Sequence, residues 1–170
     1  WLAGDRDGPI FNFGPSLRHE NWTVNEIIAS QLPVSMVLGF TAMVIAMILG
    51  ITAGVLGAVR PRSWLDSLTI VVSLVGISFP AFVIGVVLLV VFSVWLGWFP
   101  VGGWGTWKHV ALPALALSLP FAAYIAQFTR SGMSEQLTSD HIRTARAKGL
   151  SERVVVMKHA LKNAFLPVLS

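Results

Sequence analysis

The sequence predicts an all-α fold, a polytopic bundle of transmembrane helices, and three observations support this class. Hydrophobic residues make up 55% of the 170 residues and charged residues only 12%, about half the roughly 25% charged fraction of a soluble domain. Two stretches without any charged residue, 27–59 and 67–107, exceed the about 20 mostly apolar residues that a transmembrane helix needs. Clusters of glycine, proline and basic residues separate the apolar stretches, as loops would.

The first element is a polar segment, residues 1–30, that we expect outside the bilayer. Its charged residues are Asp5, Arg6, Asp7, Arg18, Glu20 and Glu26. It ends in "TVNEIIASQL", which is typical of a short interfacial helix. The first span then covers about residues 33–59, with Pro33 in the first turn, where its missing N–H is not needed. One arginine at the centre of such a span would cost about 2.5 to 3.5 kcal/mol of insertion free energy. The absence of charge from this stretch therefore supports its assignment as a span.

The second span is predicted within the stretch 67–107. Glycines and prolines interrupt this stretch, among them Gly76, Pro80, Gly85 and Gly97. We expect one broken or tilted helix that ends near Trp95, because division at Pro80 would leave residues 67–79, which are too few to cross alone. The segment that follows, "GWFPVGGWGTWKH", is rich in turn residues, and its tryptophans predict an interfacial aromatic belt.

The third span covers about residues 110–129, with kinks expected at Pro113 and Pro120, and Arg130 closes it. The sequence stops within a further apolar run, "AFLPVLS", which resembles the opening of another span. We therefore interpret the chain as a fragment of a longer membrane protein, with about three complete spans and the start of a fourth.

The distribution of lysine and arginine predicts the orientation of these spans. Three of the twelve basic residues fall on one side: Arg6, Arg18 and Lys108. Nine fall on the other side: Arg60, Arg62, Arg130, Arg143, Arg146, Lys148, Arg153, Lys158 and Lys162. Because cytoplasmic loops carry the excess of basic residues, we expect residues 130–163 in the cytoplasm and residues 1–30 outside.

The first span also carries a stripe of small residues at four-residue spacing. Its members are Ala46, Gly50, Gly54 and Ala58. Such stripes allow another helix to approach closely. General packing within a helix bundle is favoured over a specific interface with another subunit.

The contents of the spans and loops disfavour several classes of function. No Asp, Glu, Lys, Arg or His lies in the middle of a predicted span, whereas ion- and proton-coupled carriers usually need such ionisable groups. No catalytic residue, metal site or cofactor is expected on this chain, because it has no cysteine, HExxH spacing, nucleophile–base arrangement or phosphate-binding loop. A nucleic-acid partner is disfavoured, since no aromatic residues interleave with the basic ones.

The most distinctive stretch is "SDHIRTARAKGLSER", residues 139–153. Asp140 is expected to cap a short helix containing Ile142 and Ala145, and Gly149 to end it in the left-handed conformation. A second helix is expected to start at Ser151, with one apolar face formed by Val154, Met157, Leu161 and Ala164. A solvated positive-inside loop and an amphipathic helix on anionic lipid are the alternatives. Neither needs caps, a glycine break and two apolar faces, so a docking element is favoured.

The longer stretch "RTARAKGLSERVVVMKHALKNAFLPVLS" resembles the cytoplasmic EAA loop of binding-protein-dependent ABC importer permeases. It is most similar to the branch that transports dipeptides, oligopeptides and nickel, and "GISFPAFVIG" and "LGWFPVGGWG" fit the same branch. Arg143 and Thr144 stand where the general consensus has Glu and the first Ala, whereas Ala145 and Gly149 match it. Both this departure and the long interval from Gly149 to Pro167 are habitual in the peptide and nickel branch.

The resemblance implies the type I ABC importer permease fold, with residues 31–170 as a partial permease domain and a coupling loop at about 130–163. It implies a bacterial cytoplasmic membrane protein in contact with lipid, a second permease subunit, two cytoplasmic ATPase subunits that bind ATP and Mg, and an extracytoplasmic solute-binding protein. The residues placed in the coupling loop are Asp140, Arg143, Thr144, Ala145, Arg146, Lys148 and Gly149. By this resemblance the three basic side chains among them pair with the ATPase.

The function expected from this resemblance is transport of peptides or a related small solute, driven by ATP hydrolysis on separate subunits. The alternatives are an ion-coupled secondary transporter, an ABC permease for a solute such as nickel, an exporter permease, and a structural or lipid-binding membrane protein. The sequence does not identify the solute.

Overall fold

The computed structural model describes residues 13–16 and 22–164, and this part of the chain is helical apart from its loops and one isolated β-bridge. The α-helices are α1 (Val24–Val59), α2 (Trp64–Ser78), α3 (Ala81–Leu88), α4 (Trp107–Leu137), α5 (Asp140–Ala147), α6 (Glu152–Val154) and α7 (Leu161–Ala164). Two π-helical segments, Leu89–Trp95 and Val155–Ala160, continue α3 and join α6 to α7. The all-α prediction is confirmed.

Two predictions fall partly or wholly outside the described residues. The polar segment 1–30 includes residues 1–12 and 17–21, which the structure does not describe. The expected opening of a further span in "AFLPVLS" lies almost entirely in residues 165–170, which are also outside the described part.

The chain divides into two compact parts, Trp1–Gly39 and Phe40–Ser170.

In the first part, Thr23 and Glu26 form a reciprocal cap at the start of α1. The Thr23 N–H and hydroxyl donate to the Glu26 carboxylate at 2.8 and 2.9 Å. The Glu26 N–H donates to the Thr23 hydroxyl oxygen at 3.3 Å. This arrangement satisfies N–H groups that would otherwise lack partners at a helix start. The expected start at Pro33 was therefore wrong, because the interfacial segment and the span form one helix with Pro33 inside it.

In the second part, the small-residue stripe of α1 lies against α4. A Cβ atom added to Gly50 would lie 2.7 Å from the Ala122 carbonyl oxygen, and one added to Gly54 would lie 2.6 Å from the Thr129 Cβ. Ala46 and Ala58, at the ends of the stripe, are buried. The glycines therefore allow two helix backbones of the same chain to approach closely.

The second predicted span is broken between α2 and α3, whose axes differ by 103°. Phe79 has an extended backbone (φ −91°, ψ 129°) because the residue before a proline is disfavoured in the helical region. By length and composition, α1 and α4 can each cross a membrane, and a third span exists if α2 and the α3 segment count as one. The stretch is thus divided at Pro80 into a bent pair, which is either a broken span or a re-entrant loop, and the count of three spans stays a prediction.

The fourth helix, α4, continues to Leu137, beyond the predicted boundary at Arg130. The helix backbone continues past Arg130, whose side chain pairs with Asp66 of α2, and Arg130 as the end of the third span stays a prediction. Pro113 and Pro120 lie inside α4. Both α2 and α3 pack against α4, which makes α4 the central helix of this part.

Four tryptophans from the end of the π-helical segment Leu89–Trp95 to the start of α4 are exposed: Trp95, Trp98, Trp104 and Trp107. Phe99 packs edge-on against Trp107 with ring centroids 6.2 Å apart, and the Lys108 ammonium lies 5.9 Å from the centre of the same ring. Exposed indole rings beside a cation are suited to a membrane interface, so the aromatic belt stays a prediction that this arrangement supports.

Candidate functional site

The basic stretch after α4 folds as two helices joined by a turn. Ser139 is the N-cap of α5, with an extended backbone (φ −71°, ψ 156°), and its carbonyl accepts from the Arg143 N–H at 3.1 Å. The prediction of Asp140 as the cap was wrong by one residue, because Asp140 already has its place in the first helical turn. There its negative charge lies near the positive end of the helix dipole.

The turn after α5 requires glycine. Gly149 has φ +77°, its N–H donates to the Arg146 carbonyl at 2.9 Å, and the Leu150 N–H donates to the Ala145 carbonyl at 3.4 Å. These two hydrogen bonds form a Schellman motif, which satisfies carbonyls left without partners at the end of a helix. A Cβ atom at Gly149 would meet no atom within 4 Å, so only the backbone conformation restricts this position. The predicted left-handed ending is confirmed.

The two helices are anchored in a small apolar core. Ile142 is fully buried and Ala145 nearly so, and they pack in one cluster with Met133 of α4, Ala58 of α1 and Val155. Burial of such side chains contributes roughly 1.5 to 3 kcal/mol for each large one. The loop is therefore a packed extension of α4 and α1, not a free connection.

The second helix buries only part of the apolar face that was expected, since Ala164 is buried and Leu161 packs against the core but Val154 and Met157 do not. The buried residues are Val155, Val156, Ala160 and Ala164. Val154 and Met157 are 38% and 55% exposed, so their expected burial was wrong. The cause is the π-helical segment Val155–Ala160, because a π-helical turn contains more residues than an α-helical turn and shifts the apolar face.

The basic side chains of α5 differ in their partners. The Arg146 guanidinium donates twice to the Glu152 carboxylate, at 3.1 Å from Nε and 2.6 Å from Nη2, and its Nη1 donates to the Leu137 carbonyl at 3.4 Å. This pair joins the two helices across the glycine turn, and it lowers the pKa of Glu152 through the hydrogen bonds from Arg146. Arg143 has a side chain 76% exposed and lies 3.5 Å from the exposed Asp140. Lys148 is also exposed.

Two further residues of the predicted coupling set shape α5 itself. The Thr144 hydroxyl donates to the Asp140 carbonyl at 2.9 Å, one helical turn earlier. Ala145 is buried against the core below the helix. The structure therefore brings all seven predicted residues together in one short unit, but on different sides of it.

Sequence reasoning missed two ion pairs. Arg146 and Glu152 stand three residues before and three after Gly149, and this symmetry about a glycine break was a usable signal. Asp66 and Arg130 are 64 residues apart, and only their positions at the ends of two predicted spans related them.

A cavity of about 510 Å³ lies among α1, α2, α3 and α4. Its walls are mostly apolar side chains, and Thr69 and Ser73 are its polar residues. Peptide backbones need hydrogen-bonding partners when they leave water, so this cavity does not by itself explain recognition of a peptide. No group of three His, Asp or Glu residues that could hold a metal ion occurs within residues 13–16 and 22–164.

Comparison with known proteins places this arrangement in a family. Residues 46–170 match the binding-protein-dependent transport system inner membrane component family. The chain belongs to this family. Its fold is that of the type I ABC importer permeases, and the match extends over the helix α4 and the loop helices α5 to α7.

Several curated permeases are close relatives of this family member. The oligopeptide transport system permease protein OppB of Salmonella typhimurium is 45% identical over 161 residues, covering 94% of this chain and 53% of OppB. The dipeptide transport system permease protein DppB of Bacillus subtilis is 44% identical over 160 residues, covering 94% of this chain and 52% of DppB. The chain thus spans about half the length of the relatives it matches, and the resemblance to the peptide branch of permeases is confirmed.

Proposed function

We propose that the chain is part of a permease subunit that imports di- or oligopeptides across a bacterial cytoplasmic membrane, driven by ATP hydrolysis on separate subunits. The observation that supports this best is the construction of α5. It is buried on one side through Ile142 and Ala145 and presents charged side chains on the other. The names of the relatives, oligopeptide and dipeptide transport permeases, support the peptide as solute.

In this proposal α5 is the helix that contacts the ATPase. Arg143 and Lys148 are the basic side chains that face the ATPase, because both are exposed. Arg146 is assigned a different role, since its guanidinium already binds Glu152 and the Leu137 carbonyl within the chain. Gly149 supplies the turn that sets the direction of α5.

The partners in this proposal are a second permease subunit, two cytoplasmic ATPase subunits that bind ATP and Mg, and an extracytoplasmic solute-binding protein. Residues 130–163 then face the cytoplasm, and residues 1–30 lie outside. Closure of the ATPase subunits displaces α5, and the core around Met133 and Ile142 passes this displacement to α4. The resulting tilt of the spans alternates access to the solute.

The test uses the full-length chain, assembled with its partner subunits in proteoliposomes and supplied with a mixture of short alanine peptides. Gly149→Val places a β-branched residue at φ +77°, which costs about 1 to 2 kcal/mol or more and shifts the turn equilibrium by about 5- to 30-fold. We expect peptide-stimulated ATP hydrolysis to be lost while membrane insertion is retained.

The matched control is Gly97→Val. Gly97 also has a left-handed backbone (φ +64°) with no atom near its added Cβ, but it lies between the α3 segment and α4. It should retain peptide stimulation. Unchanged peptide stimulation of ATP hydrolysis in Gly149→Val would contradict the role of α5. Stimulation by Ni²⁺ but not by peptides would contradict the assignment of peptides as the solute.

A further inference from the structure

Asp66 and Arg130 form an ion pair that joins α2 to α4. The Arg130 Nε lies 2.5 Å from an Asp66 carboxylate oxygen, and the two side chains are 29% and 9% exposed. Within residues 13–16 and 22–164, the other ion pairs join residues three and six positions apart and are more exposed. The Asp66–Arg130 pair is thus the long-range one in the part of the chain that the structure describes.

The same carboxylate also holds the loop between α1 and α2. Its second oxygen accepts from the Arg62 N–H at 2.9 Å, and the Asp66 N–H donates to the Ser63 hydroxyl at 3.3 Å. Arg62 has φ +61°, an uncommon conformation for a residue with a side chain. Asp66 therefore fixes both the loop that precedes α2 and one position on α4.

A second contact between α2 and α4 joins small residues. A Cβ added to Gly76 of α2 would lie 2.9 Å from the Ala123 Cβ of α4, so small residues face each other there. The hydrophobic effect that holds such surfaces together is non-directional. A hydrogen-bonded charged pair is directional, so it sets the axial position of α2 relative to α4.

Arg130 also lies close to the core of the loop helices. Met133, three residues further along α4, is fully buried in the cluster that contains Ile142 of α5. The helix is continuous from Arg130 to Leu137, immediately before the loop. A displacement of α5 therefore reaches Arg130 through about one turn of rigid helix.

We propose that Asp66 is a positioning residue for coupling: through Arg130 it makes α2 move together with α4 when α5 is displaced. This inference rests on the proposed function, because it assigns a route to the movement that ATP hydrolysis would drive. The residue takes no part in ATP or solute binding. Its effect is to hold α2, which lines the cavity among the helices, in register with α4.

The experiment measures the number of peptides transported per ATP hydrolysed by the full-length complex in proteoliposomes. Asp66→Asn keeps an oxygen that can accept from the Arg62 N–H but removes the charge that binds Arg130. We expect the complex to assemble and to hydrolyse ATP, with the ratio reduced by about 2- to 30-fold, the range for changes along a coupling network. Glu135→Gln, which neutralises an exposed carboxylate of α4, is the matched control and should keep the wild-type ratio.

A second measurement separates coupling from stability. Val71 of α2 and Phe128 of α4 are each 56% exposed, and the 170 residues contain no cysteine, so both positions accept cysteine-linked spin labels. The distance between the labels should stay the same on ATP binding in the wild type and change in Asp66→Asn. If Asp66→Asn does not assemble, Arg130→Lys, which keeps the cation without the Nε donor, takes its place.

The outcomes distinguish this inference from the proposed function. A wild-type ratio in Asp66→Asn, or a reduced ratio with an unchanged label distance, would overturn the role of Asp66. If the wild-type complex showed no peptide-stimulated ATP hydrolysis, the proposed function would fail. The label distances would then still decide whether Asp66 holds α2 to α4.

Discussion

Arg146 and Glu152 close the turn between α5 and α6 through two hydrogen bonds between a guanidinium and a carboxylate. At the scale of single residues, this pair decides which basic side chains are free for a partner. Paired exposed charges contribute only about 0.2 to 1 kcal/mol to stability. Their geometric effect is larger, because a bidentate pair fixes the angle at which the two helices meet.

Glu152→Gln is predicted to loosen this turn without unfolding the chain. At pH 7 the amide hydrogens of Gly149 and Leu150 should exchange at most about fivefold faster than in the wild type, which corresponds to about 1 kcal/mol. The pKa of Glu152 is lowered by Arg146, so the contribution of the pair is complete above the ordinary carboxyl pKa and is lost as pH falls through the lowered value. The difference in amide exchange rate between variant and wild type should therefore disappear in acid. Equal exchange rates at pH 7 would show that the Arg146–Glu152 pair does not hold the turn.

At the scale of helices, the close approach of α1 and α4 depends on glycines whose surroundings differ along α1. An added Cβ at Gly54 would lie 2.6 Å from the Thr129 Cβ and 2.7 Å from the Ala126 carbonyl oxygen, whereas one at Gly39 would meet nothing within 4 Å. Within residues 13–16 and 22–164, the buried Thr129 hydroxyl has no hydrogen-bond partner. Additional volume there has little space to relax.

Gly54→Ala and Gly39→Ala are predicted to change stability in opposite directions. Gly54→Ala should destabilise by about 1 to 3 kcal/mol because it overpacks the contact with α4. Gly39→Ala should stabilise by up to about 1 kcal/mol, since alanine is the better helix former. Thermal unfolding of the purified protein, followed by tryptophan fluorescence, measures both. A shift of the unfolding temperature in the same direction for the two variants would show that the contact between Gly54 and Thr129 does not limit stability.

At the scale of the whole molecule, the spans carry no charged residue near their centres, and the cavity among α1 to α4 is lined mostly by apolar side chains. Coupling of transport to an ion gradient usually requires ionisable or ion-coordinating groups within the membrane. The loop helices, in contrast, share an apolar core with Met133 of α4 and Ala58 of α1.

Transport by the full-length complex is predicted to follow ATP and not the proton gradient. In proteoliposomes, peptide uptake should persist when a protonophore dissipates the gradient and should stop when ATP is removed. The measurement is uptake of labelled peptide under each condition. Uptake that follows the gradient in the absence of ATP would favour the ion-coupled carrier instead.

Sequence reasoning was most successful where a residue's own preferences decide the structure. Gly149 adopts the left-handed conformation because glycine tolerates it, and the uncharged stretch 27–59 lies within one long helix, as its length and composition predict. The break at Pro80 follows equally from the missing N–H and the restricted preceding residue. These features are local, and the sequence by itself determined them.

The tertiary structure decided what depends on contacts between distant residues. The partner of Arg130 is Asp66, 64 residues away, and hydrophobic patterning contains no information about such a pair. The π-helical segment Val155–Ala160 moved the buried face away from Val154 and Met157, because the 3.6-residue period assumes an uninterrupted α-helix. Whether a helix continues, bends or pairs at a given residue depends on what packs against it, and only the folded chain brings those neighbours together.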